Sequence, residues 1–264
     1  MAVITLTTGW TDDFYVAAVK GILLSAIPTV QVVDMSHCAP AFSSGISYAA
    51  YMVKHSYPFF PKGTVHIISI ASEYSDSAPF VAVYNNEHYF VGTDNGIFGL
   101  MFDETVPDVM VRIEKYNDDF SPNYPAISVF APAAAYLAKG GDIAELGRPY
   151  TEYQRRGAVL ATMDESLITG TVIHINAFGN VITNITRYDF ERIGKGRPFE
   201  ILVQNTRRKI LRINRYFHET SHGELLAVFN VSGYLEIAQN KGKLAEILQL
   251  SLESNIIIKF FDKK

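Results

Sequence analysis

The chain has 264 residues, 48% of them hydrophobic, a formal net charge of −4 and a single cysteine. That composition supplies a core for one large domain or two ordinary ones and excludes global disorder. The acidic balance argues against a protein built around nucleic-acid phosphate, and lone Cys38 excludes an internal disulfide or a cysteine-based metal site.

Residues 3–7 predict a first strand, followed by a helix with Thr11 or Asp12 as N-cap and Pro28 past its end. Residues 29–35 predict the next strand and 43–57 the next helix. Residues 65–70 are apolar on both faces, as in a strand buried within a sheet. This alternation predicts a mainly parallel sheet covered on both faces. A hairpin turning at Asn85-Asn86 and a helix over 129–141 follow. From about Leu167 short strands dominate, interrupted by helices at 187–193 and 243–250, a pattern of a small barrel or sandwich. The basic stretch 206–215 alternates with Ile and Leu and reads as a strand with a solvated basic face. The boundary is expected between Glu152 and Met163. No apolar run approaches the roughly 18 residues of a membrane span, and the start lacks a secretory signal, so a soluble cytoplasmic protein is expected.

The segment "ASEYSDSAP", residues 71–79, follows the strand at 65–70, where open α/β folds collect ligands. It offers two carboxylates, a phenol and three hydroxyls. "NAFGNVITNI" sets Phe178 to stack on a flat ring and Asn180 to offer an acceptor and a donor together, or else makes a plain hairpin turn. "NVSG" offers Ser232 and turn amides for a small carboxylate. "GTDNG" supplies Asp94 and Asn95, a weak loop signal. His218 and His222 lack the helical HExxH order of a zinc site, and no metal is expected.

The phrases "TTGWTDDFYVAAVKG", "VQVVDMSHCAP", "FFPKGTVHI", "GTDNGIFGL", "FAPAAAYLAKG", "FGNVITNI" and "GELLAVFNVSGYLEIAQN" occur in an order that resembles one family. It is that of the S-adenosylmethionine hydroxide adenosyltransferases and the related fluorinases and chlorinases. The resemblance implies an α/β N-terminal domain with a mainly parallel layered sheet (1–155) and a smaller C-terminal β-barrel (156–264). It also implies a homotrimer whose ligand sites lie between one subunit's N-terminal domain and a neighbour's C-terminal domain. S-adenosylmethionine is then substrate or ligand, with no further cofactor. Water or halide attacks its C5′ carbon and expels methionine.

On this resemblance Phe178 and Asn180 match the adenine-binding turn, and Tyr216 matches an aromatic beside the base. Phe42 stands where halide users carry a tryptophan, and Asp12 matches a carboxylate near the amino acid. Asn176 replaces an Asp that would bind the ammonium; Val231 replaces a Ser at the carboxylate, while Ser232 remains. The catalytic Asp, Arg and His of the water users fall on Ala71, Ala78 and Pro125, and the ribose-binding Asp becomes Thr7. Halide users place a Ser near Pro125, and proline has neither hydroxyl nor N–H, so halide chemistry is disfavoured. Hydrolysis to adenosine and methionine would need Glu73, or its neighbours Tyr74 or Asp76, to position water. The alternative is a catalytically silent reader of an adenosyl compound. A third reading has Trp10, Tyr74 and Tyr124 form a pocket for a different substrate.

Overall fold

The computed structural model describes residues 1–10, 14–37, 43–102, 105–114, 121, 123–157 and 159–262, and the chain divides into two units, Met1–Ala158 and Val159–Lys264. Among the described residues no helix is long and apolar enough to cross a membrane.

The first unit runs β1 (Val3–Thr8), α1 (Phe14–Ala26), β2 (Gln31–Ser36), α2 (Ser43–Ser56), β3 (Val65–Ser69), β4 (Phe80–Asn85), β5 (His88–Thr93), α3 (Ile97–Met101), β6 (Val109–Ile113), α4 (Ala131–Ala138) and β7 (Gly147–Pro149). These strands form one sheet in the order β2-β1-β3-β5-β4-β6-β7. Strand β1 pairs in parallel with β2 and β3, and β3 with β5. The pairings β5–β4, β4–β6 and β6–β7 are antiparallel. The expectation of a mainly parallel sheet is therefore corrected: parallel pairing stops at β5. The reason is local. Asn86 and Glu87, at φ 50° and 61°, close a two-residue hairpin, and no crossover helix separates β4 from β5. The turn also sits one residue later than the sequence suggests.

Alternate residues of these strands feed two cores. Ile4, Leu6, Val65, Ile67 and Phe80 pack with Val19 and Leu23 of α1 and with α4. Ile68, Ile70, Val81, Val83 and Phe90 pack with Ile46, Ala49 and Val53 of α2 and with Phe98 of α3. The helix expected over 129–141 is α4, preceded by a wider turn, Ala126–Phe130, in which Ala131 N–H donates to Ala126 O.

A buried carboxylate ties the unit's loops together. Asp94, fully buried, accepts from Tyr150 Oη at 3.0 Å and from the Gln154 backbone N–H at 2.9 Å. Gln154 Nε2 donates to Asp94 O at 2.9 Å and to Ser77 O at 2.6 Å. Burial raises the Asp94 carboxyl above its ordinary range, and burial beside Asp94 pushes the Tyr150 phenol up to about 12. A Cβ at Gly99 would meet the backbone of Gln154 and Arg156 at 2.5 Å, so only glycine lets the stretch 150–156, a strap across the unit, lie on α3.

The second unit runs β8 (Thr162–Met163), β9 (Leu167–Ile175), β10 (Val181–Thr186), α5 (Arg187–Gly194), β11 (Phe199–Val203), β12 (Lys209–Ile210), β13 (Leu225–Phe229), β14 (Tyr234–Gln239), α6 (Leu244–Ile247) and β15 (Asn255–Phe260). The order β12-β11-β15-β9-β10-β14-β13 nearly closes a barrel, and Asn214 N–H donates to Ala227 O where its ends approach. Thr186 caps α5 through Asp189 N–H at 3.0 Å. Two expectations are corrected. The second short helix spans only Leu244–Ile247, because Gln249 adopts a left-handed φ of 52°. The basic stretch is a strand only at Lys209–Ile210. Its arginines hold loop carbonyls instead: Arg208 donates to Gly223 O and Arg212 to Glu219 O.

Two predictions follow from buried polar groups in the first unit. His66 is fully buried, its Nδ1 2.8 Å from Thr5 Oγ1 and its Nε2 3.2 Å from His88 Nδ1. Burial, and then His88, lowers its pKa to about 3. An unfolded histidine takes its proton near pH 6.5, so His66 contributes stability that is fully present above that pH and is lost progressively toward pH 3. Denaturant unfolding at several pH values should show a loss of about 1 kcal/mol per pH unit below pH 6 that His66→Phe removes; identical slopes would exclude this role. Asp94→Ala, which strands the Tyr150 hydroxyl and the Gln154 amide, should cost about 3 kcal/mol in the same assay, and Tyr150→Phe about 1 kcal/mol. Equal small effects would show that the Asp94 network holds nothing.

Candidate functional site

In the first unit the carboxyl ends of β1, β2 and β3 carry the groups of interest. Thr8 Oγ1 lies 2.9 Å from His37 Nδ1 and accepts from Trp10 N–H at 3.3 Å. His37 Nε2 lies 3.0 Å from Asp34 Oδ1, without the alignment of a hydrogen bond, and Lys20 Nζ lies 2.6 Å from Asp34 Oδ2. Partial burial works against ionisation of Asp34, but Lys20 and His37 outweigh it and hold the carboxyl below its ordinary value. This chain from α1 through β2 to β1 fixes the backbone that carries Trp10. Thr7 is buried, and its hydroxyl has no partner among the described residues.

Trp10 and Tyr124 both meet Tyr15, with ring centroids 5.3 Å and 4.8 Å away. Tyr74 is engaged elsewhere: its ring packs on Phe80 at 5.2 Å and its hydroxyl accepts from Arg112 at 2.8 Å. The aromatic trio suggested by the sequence is thus divided. Pro125 is buried at the head of the wide turn Ala126–Phe130. Such i→i+5 turns recur at functional sites.

The loop 71–79 is set from outside itself. Asn95 Nδ2 donates to Ile70 O at 2.7 Å and Ala71 O at 3.1 Å, and Thr93 Oγ1 donates to Ser72 O at 3.3 Å. Ala71 accordingly holds a left-handed φ of 44°, a conformation that costs a non-glycine residue about 1–2 kcal/mol. Glu73 is exposed on this loop. Asp12 and Phe42 lie outside the described residues.

In the second unit the structure brings Asn176, Phe178 and Asn180 together in the turn between β9 and β10. Asn176 Oδ1 accepts from Phe178 N–H at 3.0 Å and from Asn180 N–H at 3.1 Å. Gly179, at φ 74°, lets the turn close against Lys243, where a Cβ would come within 2.9 Å. Phe178 at its tip is 76% exposed. Both side-chain amides donate to Glu236 Oε1 on β14, Asn176 at 3.2 Å and Asn180 at 2.8 Å. Sequence reading missed Glu236; the signal was an acid within the buried run Leu235–Ala238 of β14. His37 and Thr8 were missed because nothing local marks their pairing.

Ser232 lies at the other end of β14, in the turn to β13. The backbone N–H groups of Ser232 and Tyr234 donate to Asn230 Oδ1, and that of Gly233 to Asn230 O. These three turn amides are therefore spent internally. Tyr216, 59% exposed, stacks on His218 with centroids 5.3 Å apart.

The family model of the SAM hydroxide adenosyltransferase N-terminal domain matches residues 4–147, and that of the C-terminal domain matches residues 170–257. An (R)-S-adenosyl-L-methionine hydrolase from Thermus thermophilus is 30% identical, covering 90% of this chain and 92% of that protein. A fluorinase from Nocardia brasiliensis is 24% identical over 95% of this chain and 94% of its own. A crystal structure of an uncharacterized conserved protein from Thermotoga maritima superposes with a TM-score of 0.88 at 23% identity, covering 97% of this chain and 99% of that one, and so shares the fold. With both domain models matched in order and a hydrolase aligned over nearly its whole length, the chain belongs to the SAM hydroxide adenosyltransferase family.

Proposed function

We propose that this protein binds S-adenosylmethionine and hydrolyses it to adenosine and methionine, at a site between the first unit of one copy and the second unit of another in a cytoplasmic homotrimer. The observation that carries the reading is the turn 176–180, whose backbone is locked by Asn176 and whose tip holds Phe178 out for a planar ring. Asn180 then addresses the base edge, Tyr216 lies beside it and Ser232 takes the methionine carboxylate. Asp12, Phe42 and Asn176 complete the ligand set carried over from the family.

The reaction asks little of the protein. A water oxygen forms the bond to C5′ as the C5′–S bond breaks, and the electron pair goes to sulfur. Methionine leaves as a neutral thioether, so no general acid is required, and the water's proton passes to solvent. What remains is to hold water in line and partly stripped of its shell. Glu73 is the candidate on loop 71–79 for orienting that water.

A second reading, a silent adenosyl-binding protein, is favoured by Ala71, Ala78 and Pro125, the residues on which the resemblance to water-using members lays a catalytic Asp, Arg and His. Relatives such as the Thermus enzyme carry the (R) form of the sulfonium in their name. The test is to incubate the full chain with (R)- and (S)-S-adenosylmethionine, follow heat by calorimetry and chromatograph the products. Equal amounts of adenosine and methionine are expected, faster from the (R) form, and Asn180→Ala should lower turnover roughly ten- to hundredfold. Heat without products would favour the silent reader. No heat with S-adenosylmethionine or adenosine would overturn both readings. Unchanged turnover in Glu73→Gln would remove Glu73 from the reaction.

A further inference from the structure

We infer that His37 is a proton-operated latch on the chain at Trp10: on taking up a proton it turns the Thr8 hydroxyl away from its own ring and onto the Trp10 carbonyl. The device lies wholly in the first unit and operates whether or not S-adenosylmethionine is turned over.

Thr8 closes β1 and is 1% exposed, so its hydroxyl must find its partners within the protein. Three groups are in reach. His37 Nδ1 lies 2.9 Å from Oγ1, Trp10 N–H donates to Oγ1 at 3.3 Å, and Trp10 O is placed to accept from it at 3.4 Å. A hydroxyl has one hydrogen and two lone pairs. That hydrogen serves His37 Nδ1 or Trp10 O, and His37 decides which.

The other ring nitrogen, Nε2, lies 3.0 Å from Asp34 Oδ1, while Lys20 Nζ lies 2.6 Å from Asp34 Oδ2. Partial burial opposes ionisation of Asp34, but Lys20 and His37 outweigh it, so the carboxylate is an acceptor only. A neutral ring therefore carries its hydrogen on Nε2, since a bare Nε2 would set lone pair against lone pair. Nδ1 is then bare and draws the Thr8 hydrogen. In the protonated ring both nitrogens are donors. Nδ1–H donates to Thr8 Oγ1, the second lone pair takes Trp10 N–H, and the hydroxyl hydrogen has only Trp10 O to meet. Both polar backbone groups of Trp10 are thus tied to Thr8 when His37 is charged, and only the N–H when it is neutral.

The His37 side chain is 23% exposed, enough to exchange its proton with water. Asp34 of β2 favours the uptake, and Lys20 of α1, paired to the same carboxylate, opposes it. Among the described residues no other charged group forms an ion pair with either His37 or Asp34. Asp12 and Asp13 follow Trp10 outside the described residues, so a variant must separate their titration from that of His37.

Trp10 is the only tryptophan, so tryptophan carrying carbon-13 at its carbonyl gives the full chain a single labelled backbone band. Isotope-edited infrared spectra should be followed from about pH 8 to about pH 5, the range in which histidine ordinarily changes charge. The band should move to lower frequency as the carbonyl gains a hydrogen bond, with the pH dependence of one proton. His37→Gln, which does not titrate, should lose the movement entirely. Thr8→Ser keeps the hydroxyl and should retain it; Thr8→Val removes the hydroxyl and should lose it. A band that stays fixed in the unmodified protein would overturn the latch without any variant. Movement that persists in His37→Gln or in Thr8→Val would overturn it as well.

Discussion

Burying an ionised or ionisable carboxylate is tolerable only when donors surround it, and Asp94 organises the first unit through that demand. The donors it recruits come from a distant stretch of chain: the Tyr150 hydroxyl and the Gln154 amide lie 56 and 60 residues away in sequence. Gln154 in turn reaches Ser77 O, and the neighbouring Asn95 holds Ile70 O and Ala71 O. The loop 71–79 therefore does not depend on its own residues for its path. This explains how it carries Ala71, a residue with a side chain, at a positive φ: strain at one residue is offset by hydrogen bonds from Thr93 and Asn95.

On the proposed function, that arrangement would separate holding the ligand from activating the nucleophile. Displacement at C5′ of a sulfonium needs in-line geometry and a partly desolvated nucleophile more than it needs acid–base partners. The residues that would hold the adenosyl group belong to a turn locked at Asn176, with a glycine where a side chain would strike Lys243. Those proposed to orient the nucleophile lie on loop 71–79, where neighbouring side chains hold the backbone and the loop's own side chains are free to change. A chain of this fold can thus vary the side chains of that loop without disturbing the turn at 176–180.

The sequence was most informative where structure is local. The alternation of β9 shows directly as a strand with every second residue buried, and Thr186 with Asp189 marks the start of α5. It was least informative where pairing crosses the chain. Nothing near residue 90 says that β5 inserts between β3 and β4, because the order of strands is decided by long-range packing. The alternating basic stretch misled because Arg208 and Arg212 find carbonyls on other loops, which draws the chain off the sheet after Ile210. At the candidate site the family phrases pointed to Phe178 and Asn180, but the partner that orients Asn180 is 56 residues further on. The turn amides near Ser232 looked available in sequence and are consumed by Asn230, a competition that only three dimensions reveal.

Asp94 and Glu236 are, physically, the same device used in two units. Each is an acid placed where apolar residues would pack as well, and each acts by being an acceptor with no hydrogen of its own to offer while ionised. A neutral hydroxyl or amide partner has two senses, and an acceptor-only neighbour leaves it one. At Asp94 the constraint fixes a strap and, through it, a loop; at Glu236 it fixes which edge of an amide faces outward. The cost of desolvating each carboxylate is repaid in uniqueness of conformation more than in stability, which is why substitution by a residue that preserves the acceptor should be milder than removal of the acceptor altogether.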